Sequence, residues 1–222
     1  MNIRHHPDES TLMAYSAGAL TEGFNLVVAA HLDSCLQCRQ KAAEAEALGG
    51  ELLGELPAAQ MSADGLDRVW DLIDREPADS DAVVLPSAAH VESRYDLPGV
   101  LKAYLPQGLS EVHWRSVVPG IRQYVFRDID SGSGTVRLLS IAPGTSIPQH
   151  THCGSELTLV LRGSYGDEIG RFRSGDMADL DDSVKHQPVA DTEEVCICLI
   201  ATDDRLKFSD MFSRLLQPLV GI

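Results

Sequence analysis

The run His31-Leu-Asp-Ser-Cys35-Leu-Gln-Cys38 constrains this chain more than any other stretch, because it puts an imidazole and two thiols within eight residues. Helical residues three and four apart share a face, so all three side chains can reach one point. Zn²⁺ takes four nitrogen or sulfur ligands tetrahedrally, and three are present here. The fourth donor is expected from the His5-His6 pair, between which chemistry alone does not choose. A bare Cys-x-x-Cys also serves thioredoxin-like redox chemistry, but that chemistry wants the motif after a β-strand, and helical patterns flank it here. The plainer alternative makes His31 a helix-end cation and Cys38 a small buried apolar residue. The four residues together favour a metal site.

Around this corner the periodicity is helical. A first helix is expected over 8–18, with Asp8 and Glu9 in its first turn, apolar Leu12, Met13 and Tyr15, and Gly18 as its stop. Thr21 can cap a second helix, whose Phe24, Val27, Val28 and His31 follow the i, i+3, i+4, i+7 rule. Ser34 and Gln37 match a capping box, so a third helix should begin near Cys35 and break or end at Gly49-Gly50. A fourth pattern runs over 62–76, with Leu66, Val69, Trp70 and Ile73 on one face and Pro77 after it. Such a helix ordinarily packs on its own domain; the sharper alternative lays Trp70 and its neighbours against a partner. A unit of this size has a thin core, so a bound metal, worth about 10–16 kcal/mol in small structural sites, should supply much of its folding energy.

From Pro77 to Gly99 the pattern dissolves into Pro, Ser, Ala and Asp, which reads as a linker. Beyond it the period becomes alternating. Strands are expected at 121–126, 135–141, 156–161 and 195–201, a sandwich or barrel.

The net charge of −15 argues against a nucleic-acid surface, which needs clustered Lys and Arg. Residues 1–80 hold 14 acidic and 5 basic side chains, so the acidity concentrates in the helical part. That distribution suits a basic protein partner, or serves solubility alone. The opening Met1-Asn-Ile-Arg4 leads into no apolar core, and no apolar run approaches membrane-spanning length. A cytoplasmic protein with reduced thiols is the expectation.

A second constellation lies in the β-rich part. On an extended strand alternate residues share a face, so His150 and His152 can point together. Glu156 follows on the continuation of the hairpin, and His186 can return from another strand. Three histidines and a carboxylate suit Zn, Mn, Fe or Ni. The markers Gly144, His150, His152, Glu156 and Gly163 resemble the first cupin motif; Gly175-Asp176 and His186 resemble the second, without its usual proline and with a longer gap. Cys196 and Cys198 alternate on a strand and read as core packing, while Cys153 is a candidate oxidation site that alternation points away from His152. A metal-bearing cupin can be a dioxygenase or isomerase with a helical cap, a sensor, or a fold support.

The two halves together resemble the ChrR-type anti-sigma factors along essentially the whole chain. The resemblance is carried by Met1-Asn-Ile-Arg-His-His6, His31-x3-Cys35-x2-Cys38, Glu156-Leu-Thr-Leu-Val-Leu161, Cys196-Ile-Cys198-Leu and Gln217-Pro218. It implies a multi-domain α-then-β chain: a four-helix zinc-binding anti-sigma domain over 1–78, a linker over 79–100 and a cupin β-barrel over 101–222. It implies no catalysis. The expected activity is inhibition of an extracytoplasmic-function-type sigma factor in the cytoplasm, with release on singlet oxygen or related oxidative stress sensed through the cupin, and without direct contact to nucleic acid or membrane. His6, His31, Cys35 and Cys38 would hold one zinc, and His150, His152, Glu156 and His186 a second metal, also zinc.

Overall fold

Eight of the eleven residues of helix α2 (Glu22–Leu32) are buried, so this helix is apolar nearly all round and must be covered on more than one side. Helices α1 (Glu9–Ser16) and α3 (Leu36–Gly54) cover part of it and pack on each other, where the Ser16 hydroxyl donates to the Ala42 carbonyl at 3.1 Å. The computed structural model describes residues 2–75, 97–129, 134–151 and 154–204, and the backbone of 207–208.

Two expectations at α3 are corrected. Its N-cap is Cys35 rather than Ser34, and the Cys35 sulfur accepts from the Cys38 N–H at 3.5 Å. Gly49-Gly50 does not break the helix, which continues to Gly54. A helical glycine costs only about 1 kcal/mol relative to alanine, less than the surrounding Ala, Glu and Leu can sustain. Helix α4 (Gly65–Arg75) starts later than its pattern and buries no residue, against the expectation that it packs on its own domain.

The β domain follows. Its strands are β1 (Arg115–Val118), β2 (Ile121–Phe126), β3 (Thr135–Ile141), β4 (His150–Thr151), β5 (Glu156–Arg162), β6 (Ser164–Gly166), β7 (Arg171–Arg173), β8 (Met177–Leu180), β9 (Val189–Ala190), β10 (Cys196–Thr202) and β11 (Lys207–Phe208). They pair antiparallel in a six-stranded sheet of order β1-β2-β3-β10-β5-β8, a three-stranded sheet β7-β6-β9 and the pair β11-β4. Among the described residues hydrogen bonding runs in three sheets rather than one closed ring. The glycine marking the end of the first cupin motif is required by shape: Gly163 sits at φ +72°, and a Cβ there would stand 2.6 Å from the Val195 carbonyl oxygen.

Strands β3, β5 and β10 are buried almost throughout rather than alternately. The cause is α2, which lies on β5 and β10. Val27, Val28 and Ala30 share one core with Leu138, Leu157, Leu159 and Leu199, while Leu139, Val160, Tyr165, Cys198 and Ile200 belong to a second core. Period-two alternation divides these side chains between the faces of the sheet, so α2 forms the outer lining of the β domain. The end of the expected linker and the residue just after it also join this core: Leu97 and Leu101 are buried, and the Gly99 N–H donates to the Asp33 carboxylate just beyond α2. The rest of that segment, and the Pro77 boundary, lie outside the described residues.

Candidate metal centres and the exposed helical face

The corner between α2 and α3 does what its spacing requires. His31 is in the last turn of α2, Cys35 caps α3 and Cys38 lies in its first turn. The N-terminal arm brings His6 to the same point. His6 Nδ1 stands 3.4 Å from Cys35 Sγ and 3.2 Å from Cys38 Sγ, and His31 Nε2 stands 3.4 Å from Cys38 Sγ. All four donor atoms lie within 4.8 Å of one another. Zinc–nitrogen and zinc–sulfur bonds of about 2.0 and 2.3 Å give a tetrahedral N···S edge of about 3.5 Å, so the donors stand as ligands of one ion would. This group could hold a metal ion. His5 is elsewhere, its ring 4.4 Å from that of Phe172.

The protonation states fit. A carbonyl oxygen only accepts, so His31 Nδ1 donates to Gly175 O at 3.0 Å and leaves the Nε2 lone pair facing the sulfurs. Burial pushes the His31 pKa down to about 4, so the ring is neutral at physiological pH. Burial, reinforced by Cys35, pushes the Cys38 thiol up to about 12, so a bound metal must displace its proton.

The cupin motif is only partly assembled among the described residues. His150 and His186 approach across a β-bridge, with their Nε2 atoms 3.1 Å apart. Each Nδ1 donates outward, His150 to the Pro148 carbonyl at 2.8 Å and His186 to the Asp167 carboxylate at 2.9 Å. Two neutral rings so arranged aim lone pairs at each other, which calls for a cation or a shared proton between them. Glu156 is buried and accepts from the Thr158 hydroxyl at 2.9 Å. It does not complete a three-donor group with the two rings among the described residues. His152 and Cys153 lie outside them. Cys196 and Cys198 are buried with their sulfurs 3.7 Å apart, in the same core as Tyr165.

Asp167 was not singled out in the sequence. Burial alone would raise its carboxyl, but bonds from His186, Gly170 and Ile169 outweigh burial and hold it below the usual range. Its only local signal is a glycine turn, 167–170, since its partner ring is 19 residues away.

The third feature is apolar. Leu66, Val69, Trp70, Leu72 and Ile73 on α4 are exposed, as are Leu48, Leu52, Leu53 and Leu56 along and just past the second half of α3. Helical spacing puts Asp64, Asp67, Asp71 and Asp74 along one flank of the α4 stripe, with Arg68 and Arg75 beyond them. An apolar surface of this kind with a charged rim is the anatomy of an interaction face. No helix among the described residues is long and apolar enough to cross a membrane.

A helical part that, with its N-terminal arm, gathers a His₂Cys₂ group able to hold a metal ion, joined to a β domain of cupin type, defines a two-part cupin-like protein. A family model for the ChrR cupin-like domain matches residues 107–204. The anti-sigma-E factor ChrR of Cereibacter sphaeroides is 39% identical over 224 residues, covering all of both chains. The crystal structure of Rhodobacter sphaeroides SigE in complex with the anti-sigma ChrR matches with a TM-score of 0.75 and 37% identity, over 90% of this chain and 99% of that one. The chain belongs to the ChrR family.

Proposed function

We propose that this protein is an anti-sigma factor, which binds an extracytoplasmic-function-type sigma factor in the cytoplasm and keeps it from RNA polymerase. The observation that carries this reading is the apolar face of α4, exposed among the described residues and flanked by acid on one side, in a chain related over its full length to an anti-sigma factor. A subunit that binds promoter DNA must present basic surface, and an acidic flank beside an apolar stripe complements it. Helices α3 and α4 supply the gripping surface, and the His₂Cys₂ corner holds α2, α3 and the N-terminal arm in one geometry. His6, His31, Cys35 and Cys38 would hold zinc, which supplies a structural crosslink and no reaction. His150, His152, Glu156 and His186 would hold a second metal in the cupin half. Their role in this reading is to bias release of the sigma factor on singlet oxygen or related stress, by shifting a two-state balance. The acid–base chemistry available at that site is that of the Asp167–His186 pair, which fixes the ring so that Nε2 faces inward.

The test is co-expression with an extracytoplasmic-function-type sigma factor encoded beside it. A stable complex that blocks transcription in vitro, lost on Trp70→Asp and kept on His150→Ala, supports the reading. Failure to bind such a sigma factor, with turnover of a small molecule abolished by His150→Ala, would establish a cupin enzyme instead.

A further inference from the structure

The N-terminal arm and the His31 ring are both held by one turn of the cupin half. Gly175, at φ +92°, begins the turn into β8 and presents its carbonyl to His31 Nδ1 at 3.0 Å. The next residue, Asp176, is buried, and its Oδ1 accepts from the Arg4 N–H at 2.7 Å and the His5 N–H at 3.1 Å. Its other oxygen accepts from the Arg173 N–H at 2.9 Å. The Met177 N–H then donates to the His5 carbonyl at 3.1 Å, closing a strap across the start of β8. His6, the next residue of the arm, is thereby delivered to the two sulfurs. A buried carboxylate accepting three backbone N–H groups is a strong, directional anchor. The turn is also tied to β5, since Gly175 N donates to Val160 O at 2.8 Å and Val160 N to Asp176 O at 3.0 Å. Glu156 opens that same strand.

We propose that Gly175 and Asp176 are positioning residues of the helical metal cluster, so that the cupin half supplies the outer shell for two of its four ligands, His6 and His31. This rests on the metal reading above and deepens it. Groups that orient ligating histidines typically govern metal affinity by 10–100-fold, because a free ring must be ordered each time the metal binds. The turn is therefore where the state of the cupin sheet reaches the grip.

The experiment uses the full chain loaded with Co²⁺ or Zn²⁺. Asp176→Ala removes the anchor, Arg4→Pro removes one strap N–H while leaving the turn intact, and Asp176→Asn restores part of the acceptor set. Exposed Asp182→Ala serves as control. Competition with a chelating dye should show Zn²⁺ affinity at the cluster lowered about 10–100-fold by Asp176→Ala, lowered less by Arg4→Pro and Asp176→Asn, and unchanged by Asp182→Ala. The Co²⁺ absorption bands of the cluster should shift in the same order, which general loosening of the fold would not produce. Wild-type affinity and bands in both Asp176→Ala and Arg4→Pro overturn the proposal while leaving the metal reading intact. Should Asp176→Ala lose the near-ultraviolet circular dichroism of the folded β domain, Arg4→Pro alone decides. A wild-type chain whose Co²⁺ spectrum lacks thiolate bands overturns the metal reading itself, and this inference with it.

Discussion

At Cys38 the protein holds a thiol where it does not ionise by itself, with burial and Cys35 pushing it up to about 12. Metal binding must expel that proton, so apparent Zn²⁺ affinity should rise at least about tenfold per pH unit between pH 6.5 and 8.5, read by chelator competition. At His31 burial disfavours a cationic form instead of an anionic one. Its folded value of about 4 lies below the ordinary 6.5, so between these pH values the unfolded chain binds more protons. Stability of the metal-free protein should therefore fall as pH drops from about 6.5 to about 4 and level off below, as denaturant midpoints would show. His31→Gln should flatten that slope. The three-residue core of this cluster was legible in the sequence because His31, Cys35 and Cys38 are close enough along the chain to meet across the joint between α2 and α3. The choice of His6 over His5 was not, because it turns on Phe172 and Asp176, more than 160 positions away. The cap at α3 was misread for a related reason: Ser34 has the customary side chain, but the sulfur of Cys35 stands where the N–H points.

Among the elements, α4 departs furthest from an ordinary globular helix. Its apolar stripe was plain from Leu66, Val69, Trp70 and Ile73, but periodicity reports a face and not what covers it. Trp70→Asp should leave the melting temperature of the free protein nearly unchanged, because Trp70 is 56% exposed. The same change should weaken sigma-factor binding by about thirtyfold or more, as loss of a central aromatic anchor does, measured by titration calorimetry. In α3, Gly49 and Gly50 have open space where a Cβ would go. Replacing both with alanine should stabilise the helix by about 1–2 kcal/mol, seen as a higher denaturant midpoint. The long strands β2, β3, β5 and β10 were readable almost to the residue, since each is a run of apolar and β-branched side chains between turns. Of the two- and three-residue strands only β4 was anticipated, through the His150-x-His152 spacing; the others are too short to show a period and are defined only by their partners.

For the whole molecule, the sequence shows a change of period and suggests two independent units, whereas the structure gives them a common core. Helix α2 is covered by β5 and β10 on one side and by α1 and α3 on others. A fragment ending at residue 75 therefore exposes apolar surface that the full chain buries. Even with metal bound it should be less stable than the same segment in the full chain by more than about 2 kcal/mol, the worth of one or two buried aliphatic side chains, as hydrogen exchange in α2 would reveal. From sequence alone the metal was expected to supply much of the folding energy of the helical unit; the sheet beneath α2 also supports that unit. The strap has a further consequence for biosynthesis. Arg4 is synthesised before its anchor Asp176, which is made 172 positions later. At bacterial elongation speeds of about 5–20 residues per second, roughly 10–30 s pass before the arm can be tied down. Throughout that interval Cys35 and Cys38, buried once the chain is folded, await their full enclosure, and it is then, rather than in the finished protein, that an oxidant would find them most open.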